Sequence, residues 1–476
     1  MTSEDRDRPG AGAVFTLEEV LAATGGTLSA LGHATRFPGV TTDSRALGAG
    51  ELFVAIRGDT HDGHAFVADA AGRGAGAVVV EQPLERAAPG CGVILVRDTL
   101  AALGHLAAFH RRRRRPRVVA ITGSNGKTTT KEMLAAILER APGAGRVLRT
   151  TGTQNNLVGL PLTLLRLADT DAIAVVELGM NGPGEIWRLA EIAEPDIGVI
   201  TCVAPAHLER LGSIHGVAEA KAELYRRLRP SATAVVNADD PLVVAAADAF
   251  PGRKVPFGTG GGLPVAAAGI ADRGLEGIDF QLVVERREAP VRLAVPGRHN
   301  VTNALAAAAA AHVLGVELEV VRAGLEAFQP PGMRMEVTQL PSGVTVLNDA
   351  YNANPASMAA ALRTLATSRG RRRLAVLGEM RELGAEAACA HRDLGTTAAA
   401  ANLDALFVLG EHAAEVRAGA EAAGMAPDRI VVAQSHDDLA AQLRAQCRPG
   451  DLVLLKGSRG AAMEEVLRRL ETERRP

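Results

Sequence analysis

Val118–Ala135 reads VVAITGSNGKTTTKEMLA. Val118, Val119, Ala120 and Ile121 form an apolar run short enough for a buried parallel strand. Gly123 and Gly126 permit a tight path through Ser124 and Asn125, and a helix opens at Lys127 and runs to about Leu138. Such a loop aims free backbone N–H groups and the positive helix end at one point, where an anion belongs. Lys127 adds a point charge for phosphate oxygens. Thr128, followed by Thr129, adds a hydroxyl for Mg²⁺. The loop departs from the general G-x-x-x-x-G-K-[ST], because Ile121 stands five before Gly126 and leaves the shorter G-x-x-G-K-T. An ordinary strand-to-helix turn does not explain a lysine followed by three threonines, so nucleoside triphosphate binding is the expectation.

A chain of 476 residues suggests roughly three domains, and 47% apolar residues supply several cores. The net charge of −2 gives no general affinity for nucleic acid or membrane, and 3% aromatics argue against base-stacking platforms. Cys91, Cys202, Cys389 and Cys447 lie far apart without a C-x-x-C, so neither a zinc site nor a disulfide framework is expected and a cytosolic location is. The opening MTSEDRDRPGAG is polar and Gly/Pro-rich; it is not a signal peptide and is expected to fray. The alanine-rich apolar runs fall short of a membrane span. Positive charge is written almost wholly as Arg; the lysines are Lys127, Lys131, Lys221, Lys254 and Lys456. Lysine, unlike arginine, can react as an amine.

The expected fold is α/β in three domains: a small mixed α/β domain over 14–112, a central P-loop parallel-sheet domain over 113–316, and a C-terminal Rossmann-like doubly wound domain over 317–476. In the first, a helix at Phe15–Ala23 ends at Gly25-Gly26, and strands fall near Leu52–Ile56 and Ala77–Val80. Thr42-Asp43-Ser44-Arg45 reads as a capped turn or a polar ligand contact. Arg111–Arg115, closed by Pro116, reads as a solvated helix end and linker. The central segment places strands near Ala172–Leu178, Asp196–Val203 and Ala232–Asn237, then short antiparallel strands over Phe257–Leu293. The last places strands at Val344–Leu347, Leu374–Leu377, Ala405–Leu409, Arg429–Val432 and Leu452–Leu455, each followed by a helix. Ligands gather at the C-terminal ends of such strands. Glu177 stands there as a Mg²⁺ ligand or a helix-terminal acid, while His207 and Lys221, taken alone, read as a structural histidine and a solvated helix lysine.

The segments ITGSNGKTTTKEM, TQNNLVGLPLTLL, VELGMN, APAHLERLGS with EAKAELY, GRHNVTNALAA, GMRMEV, LNDAYNANPASM, LGEMRELG and LLKGSRG occur in this order. Together they resemble the Mur ligase family, over nearly the whole chain beyond residue 14. TTDSR, with Ser44 and Arg45, and GELFVAIRGDTHDGHAF resemble its UDP-sugar-binding end.

The resemblance implies that the terminal carboxylate of a UDP-muramoyl tripeptide attacks the γ-phosphate of ATP, and that an amine then attacks the acyl phosphate. Two anions must meet, so cations must screen them. The family pattern puts Gly123, Ser124, Asn125, Gly126, Lys127, Thr128 and Thr129 on the phosphates, Thr128 and Glu177 on one Mg²⁺, and His207 on a second. It implies that Lys221 is carbamylated by CO₂, that Asn303 contacts adenine, that Asp349 contacts ribose and that Arg334 approaches the γ-phosphate. Asn155 and Asn156 would face the muramoyl substrate. DAYNANP, in place of the D-N-P-R stretch of the third-residue-adding ligase, resembles the D-Ala-D-Ala-adding branch, with Tyr351, Asn352 and Asn354 for the dipeptide. Lys456, Gly457, Ser458 and Arg459 of LLKGSRG would take a carboxylate. The substrates implied are UDP-N-acetylmuramoyl-tripeptide, D-alanyl-D-alanine and ATP with Mg²⁺, in a monomer of the bacterial cytoplasm that closes its domains in large rigid-body movements. The rivals are a third-residue-adding or folylpolyglutamate synthetase-like ligase of the same superfamily, and a P-loop kinase or ATPase.

Overall fold

The computed structural model describes residues 12–58, 61–84, 89–143 and 145–472. The opening segment expected to fray, up to residue 11, lies outside them.

Arg117–Thr122 is the pivot of the fold. It lies inside a nine-stranded sheet, between Ile197–Ile200 and Asp171–Glu177. Thr233–Asn237 and Arg253–Gly258 extend the sheet on one side and Arg146–Arg149 on the other, all parallel. Val265–Asp272 joins Arg253–Gly258 in parallel, and Ile278–Val284 and Arg287–Leu293 continue the sheet antiparallel, the extension expected from the sequence. Both faces of the pivot strand are buried, as a parallel sheet requires. Val119 and Ile121 pack with Met133, Leu134 and Ile137 of the helix Lys127–Leu138, and with the alanines of the helix His299–Val313. Val118 and Ala120 pack in a second core with Leu103 and Leu106 of the helix Thr99–Arg114. The chain leaves Arg117–Thr122 toward one edge and returns to its other side at Ile197–Ile200. That reversal opens a crevice at the strand's C-terminal end.

The first domain is a five-stranded sheet ordered Thr27–Ala30, Gly92–Leu95, Ala77–Val80, Leu52–Val54, Val40–Thr41, antiparallel only at its first pair. Its opening helix spans Leu17–Thr24, because Thr16 and Glu19 form a capping box and Gly25 ends it left-handed at φ 65°. The third domain orders Glu336–Gln339, Thr345–Asp349, Leu452–Lys456, Arg373–Leu377, Ala405–Val408 and Ile430–Val432, parallel except for its first strand.

Sequence reasoning passed over Thr27–Ala30, Val40–Thr41 and Gly92–Leu95 in the first domain, and three strands in the other two. Arg146–Arg149 and Glu336–Gln339 are short and half-polar. Arg253–Gly258 contains Pro256, and it pairs with Val265–Asp272 only at Phe257 and Gly258, beyond the proline.

The arginine run ends a helix and is partly exposed, as the sequence suggests, but it is not wholly solvated. The helix Thr99–Arg114 carries four of its five arginines and packs against helices of the first and central domains alike. Arg111 is buried, donating from Nε to the Ala193 carbonyl at 3.0 Å and from Nη2 to that of Glu194 at 2.7 Å. Arg112 pairs with Glu194, Arg113 with Glu19 and Arg114 with Asp169. A guanidinium caps the C-terminal carbonyls of Glu185–Ala193 because those carbonyls lack partners within their own helix. Arg112 and Arg113 remain exposed, as does Arg115, which is left-handed at φ 53°.

Candidate active site

The phosphate loop is shaped by its glycines. Gly123 has φ 148° and Gly126 φ 82°. A Cβ on Gly123 would run into the Thr201 hydroxyl, and one on Gly126 into the Asn303 carboxamide oxygen. Ser124 ties the loop to the neighbouring strand end, donating from Oγ to the Ala204 carbonyl at 2.9 Å. Thr201 donates to the Asn125 carbonyl at 2.5 Å. Lys127 heads the helix and turns Nζ back to the Gly123 carbonyl at 2.7 Å. Desolvation lowers its pKa first, with Glu177 opposing and Arg334 adding to the shift. Thr129 is buried on the helix behind.

Glu177 closes Asp171–Glu177 beside this loop and is buried. Its Oε2 accepts from the Thr128 hydroxyl at 3.1 Å, and its Oε1 lies 3.2 Å from Lys131 Nζ. Lys131 is buried too; Nζ donates to the Thr150 carbonyl at 2.6 Å and pairs with Glu132 at 2.7 Å. Lys221 comes from the helix Ile214–Arg227 and is buried. Among the described residues no carboxylate pairs with it. Burial first, and the charge of Lys127 second, push its pKa down to about 7. His207 stands left-handed at φ 56°, with Nδ1 2.5 Å from Glu382 of the third domain. That contact holds the Glu382 carboxyl below its ordinary range.

Glu382 belongs to a wall that the third domain brings to the loop. Arg334 donates from Nη2 to Thr128 Oγ1 at 2.8 Å, and its guanidinium stacks 3.8 Å from the Tyr351 ring centroid. Asn354 exchanges hydrogen bonds with Asn125, at 2.8 and 3.3 Å. Thus Lys127, Thr128 and Glu177 meet Arg334 and Asn354 of the third domain around the phosphate loop, and the charge of Lys127 reaches the buried Lys221.

Several residues expected to meet ligands are engaged in other work. Asn354 is buried, and its Oδ1 also caps the helix Pro355–Thr367 from Ser357 N at 2.9 Å. Lys456 is buried against Asp349 Oδ2 at 2.5 Å and the Asn352 carbonyl at 2.9 Å, where it braces DAYNANP. Asp349 takes that ammonium and, on Oδ1, Met335 N at 3.2 Å. Asn303 is buried beneath the loop, its amide donating to Asn300 at 2.9 Å. Asn156 Oδ1 accepts from the backbone of Gly159 at 2.8 Å, and the Asn155 carbonyl accepts from Gly179 at 2.8 Å. Ser44 is buried in the first domain, and Arg45 is exposed, its Nη2 2.8 Å from Asp43 Oδ2. Asn352 is exposed. Arg459 pairs with Glu464 at 2.7 Å, while the buried Ser458 hydroxyl has no hydrogen-bond partner.

Three family descriptions match the chain: Mur ligase family, catalytic domain, over 36–111; Mur ligase middle domain over 121–311; and Mur ligase, glutamate ligase domain, over 333–459. The chain belongs to the Mur ligase family. This Mur ligase is 38% identical, over 91% of its length and 93% of the relative's, to the UDP-N-acetylmuramoyl-tripeptide–D-alanyl-D-alanine ligase of Escherichia coli. It is 36% identical to the enzyme of the same name from Bacillus subtilis, over 91% and 93%. Its structure is similar to the crystal structure of MurF from Acinetobacter baumannii, with TM-score 0.88, 33% identity and coverage of 97% and 99%. It is also similar to MurF ligase from Thermotoga maritima in complex with ADP, with TM-score 0.80, 27% identity and coverage of 91% and 97%.

Sequence reasoning missed three residues of this Mur ligase's crevice. Lys131 was signalled only as one of five lysines, one helical turn after Lys127. Glu382 lies in the quoted LGEMRELG, with nothing local to tie it to His207. Thr201 follows an unremarkable apolar strand. Among the described residues no helix is long and apolar enough to cross a membrane.

Proposed function

We propose that this Mur ligase uses ATP to join D-alanyl-D-alanine to UDP-N-acetylmuramoyl-tripeptide through an acyl phosphate. The observation that carries the reading is the meeting of Arg334 with Thr128 at the phosphate loop, two cationic domains' edges closing on one anion site. The relatives' names supply the substrates, and the Thermotoga maritima complex with ADP supports the nucleotide.

Each part of the crevice has work to do in that reaction. Lys127 and the loop N–H groups hold the β- and γ-phosphates. Arg334 holds the γ-phosphate from the opposite side, bidentate geometry being natural to a guanidinium. Thr128 Oγ1 and Glu177 Oε2 offer the hard oxygens Mg²⁺ takes, while Glu177 Oε1, buried without a hydrogen bond, is held by the charge of Lys131 at 3.2 Å, so the residues present fit that ion. When bound, Mg²⁺ supplies charge neutralisation between phosphate and the incoming carboxylate. His207, oriented by Glu382 through Nδ1, leaves Nε2 for a second ion.

At a pKa of about 7, roughly half of Lys221 is free amine at neutral pH. Its nitrogen attacks CO₂, a proton leaves, and a buried cation becomes an anion that is attracted to Lys127. Lys221→Ala abolishes ligation, and short carboxylic acids restore part of it; full activity without rescue would sink the carbamate. The dipeptide carboxylate is held by Ser458 and Arg459, since Lys456 and Asn354 are occupied. Residues 14–112 hold the UDP-sugar, 113–316 the ATP, and 317–476 deliver Arg334 and the dipeptide site. A monomer in the bacterial cytoplasm completes the reading.

Mass spectrometry of the nucleotide product tests the function. Condensation with D-Ala-D-Ala appears only with ATP, Mg²⁺ and both substrates present; an unchanged UDP-muramoyl tripeptide would refute it.

A further inference from the structure

Arg334 has an uncommon mounting. Among the described residues no carboxylate pairs with it, although it reaches 2.8 Å from Thr128 across a domain boundary. What holds it is the face of Tyr351, 3.8 Å from the guanidinium carbon. The backbone on either side is constrained as well. Met333 and Met335 are left-handed, at φ 61° and 55°. Met333 N donates to Glu336 at 2.9 Å, Met335 N donates to Asp349 Oδ1 at 3.2 Å, and Tyr351 N donates to the Met333 carbonyl at 3.1 Å. DAYNANP therefore grips the short arm that carries Arg334.

We propose that Tyr351 is a positioning residue for Arg334, not a dipeptide contact. A carboxylate could hold the arginine equally still, but it would consume the charge and the N–H donors a phosphate needs. An aromatic face stacks on the guanidinium plane and leaves every in-plane N–H free. The ring also limits the rotamers of a long side chain before ligand arrives, which lowers the entropy lost on binding. The ligand concerned is the terminal phosphoryl group of a nucleoside triphosphate, so the effect distinguishes triphosphate from diphosphate. The proposal rests on the nucleotide reading above.

The test is calorimetric titration with Mg²⁺ and either ADP or a non-hydrolysable ATP analogue. Tyr351→Leu loses about tenfold in affinity for the analogue and less than about twofold for ADP. Tyr351→Phe, which keeps the ring, restores the analogue affinity. Arg334→Ala and Arg334→Ala/Tyr351→Leu bind the analogue alike, because one residue acts through the other. Equal losses for both nucleotides, equal losses in the Leu and Phe variants, or multiplying losses in the double variant would overturn the proposal. So would a Tyr351→Leu variant that binds the analogue normally and raises only the KM for D-Ala-D-Ala. If the unaltered protein binds neither nucleotide, the nucleotide reading fails and the proposal with it.

Discussion

Lys131→Met tests whether the buried lysine holds the acid beside the phosphate loop. The substitution keeps the length of the side chain and removes its charge. Lys131 and Glu177 expose 2% and 1% of their side chains, at 3.2 Å from one another. Glu132, 22% exposed, can turn to water; Glu177 cannot. Removing one partner of a buried pair costs about 3–5 kcal/mol, and the retained Thr128 hydrogen bond to Glu177 favours the lower end, about 3. A domain of this size moves about 2–4 °C per kcal/mol, so the central domain's transition falls by about 6–12 °C. Differential scanning calorimetry reads it, with the domains' transitions resolved separately because a three-domain chain need not unfold in one step. Lys131→Met/Glu177→Gln, which removes the stranded charge, recovers part of the loss. A Lys131→Met transition within about 1 °C of the unaltered protein, or no recovery in the double variant, would refute the reasoning.

Gly126→Ala is forced left-handed at φ 82° and meets Asn303, so ADP affinity drops at least about tenfold by titration, whereas Gly72→Ala, with nothing near its Cβ, leaves it unchanged. Arg111→Met loses two charged hydrogen bonds to carbonyls and lowers denaturant stability by about 2–3 kcal/mol. Arg115→Gly relieves a left-handed helix end and raises stability by up to about 1 kcal/mol in the same assay. For Lys221 the folded pKa of about 7 lies below the ordinary 10.5, so between those values the unfolded chain binds the extra proton. Stability rises with pH across that window and the penalty is full below it. In CO₂-free buffer Lys221→Met flattens this rise; parallel profiles for the two proteins would contradict the burial argument.

The phosphate loop was legible because its determinants are local: an apolar run, two glycines and a lysine within a few residues. The same is true of the helix Lys127–Leu138 and the alternating strands of the third domain. What the sequence does not display is which polar side chains distant segments will occupy. Asn354 meets Asn125 across 229 positions, and Lys456 meets Asp349 across 107. Both therefore looked like free recognition groups. Asn354 carried a readable warning, since Asn before Pro355 is a helix N-cap pattern. Arg111 had none, because its partners are backbone carbonyls that any residues could have supplied.

The measurement that tests the account most directly is phosphate release from ATP and Mg²⁺ with UDP-N-acetylmuramoyl-tripeptide, comparing D-Ala-D-Ala with diaminopimelate, lysine and no amine. The account predicts steady release with D-Ala-D-Ala alone. Release that is equal with another amine, or that continues without any, would contradict it.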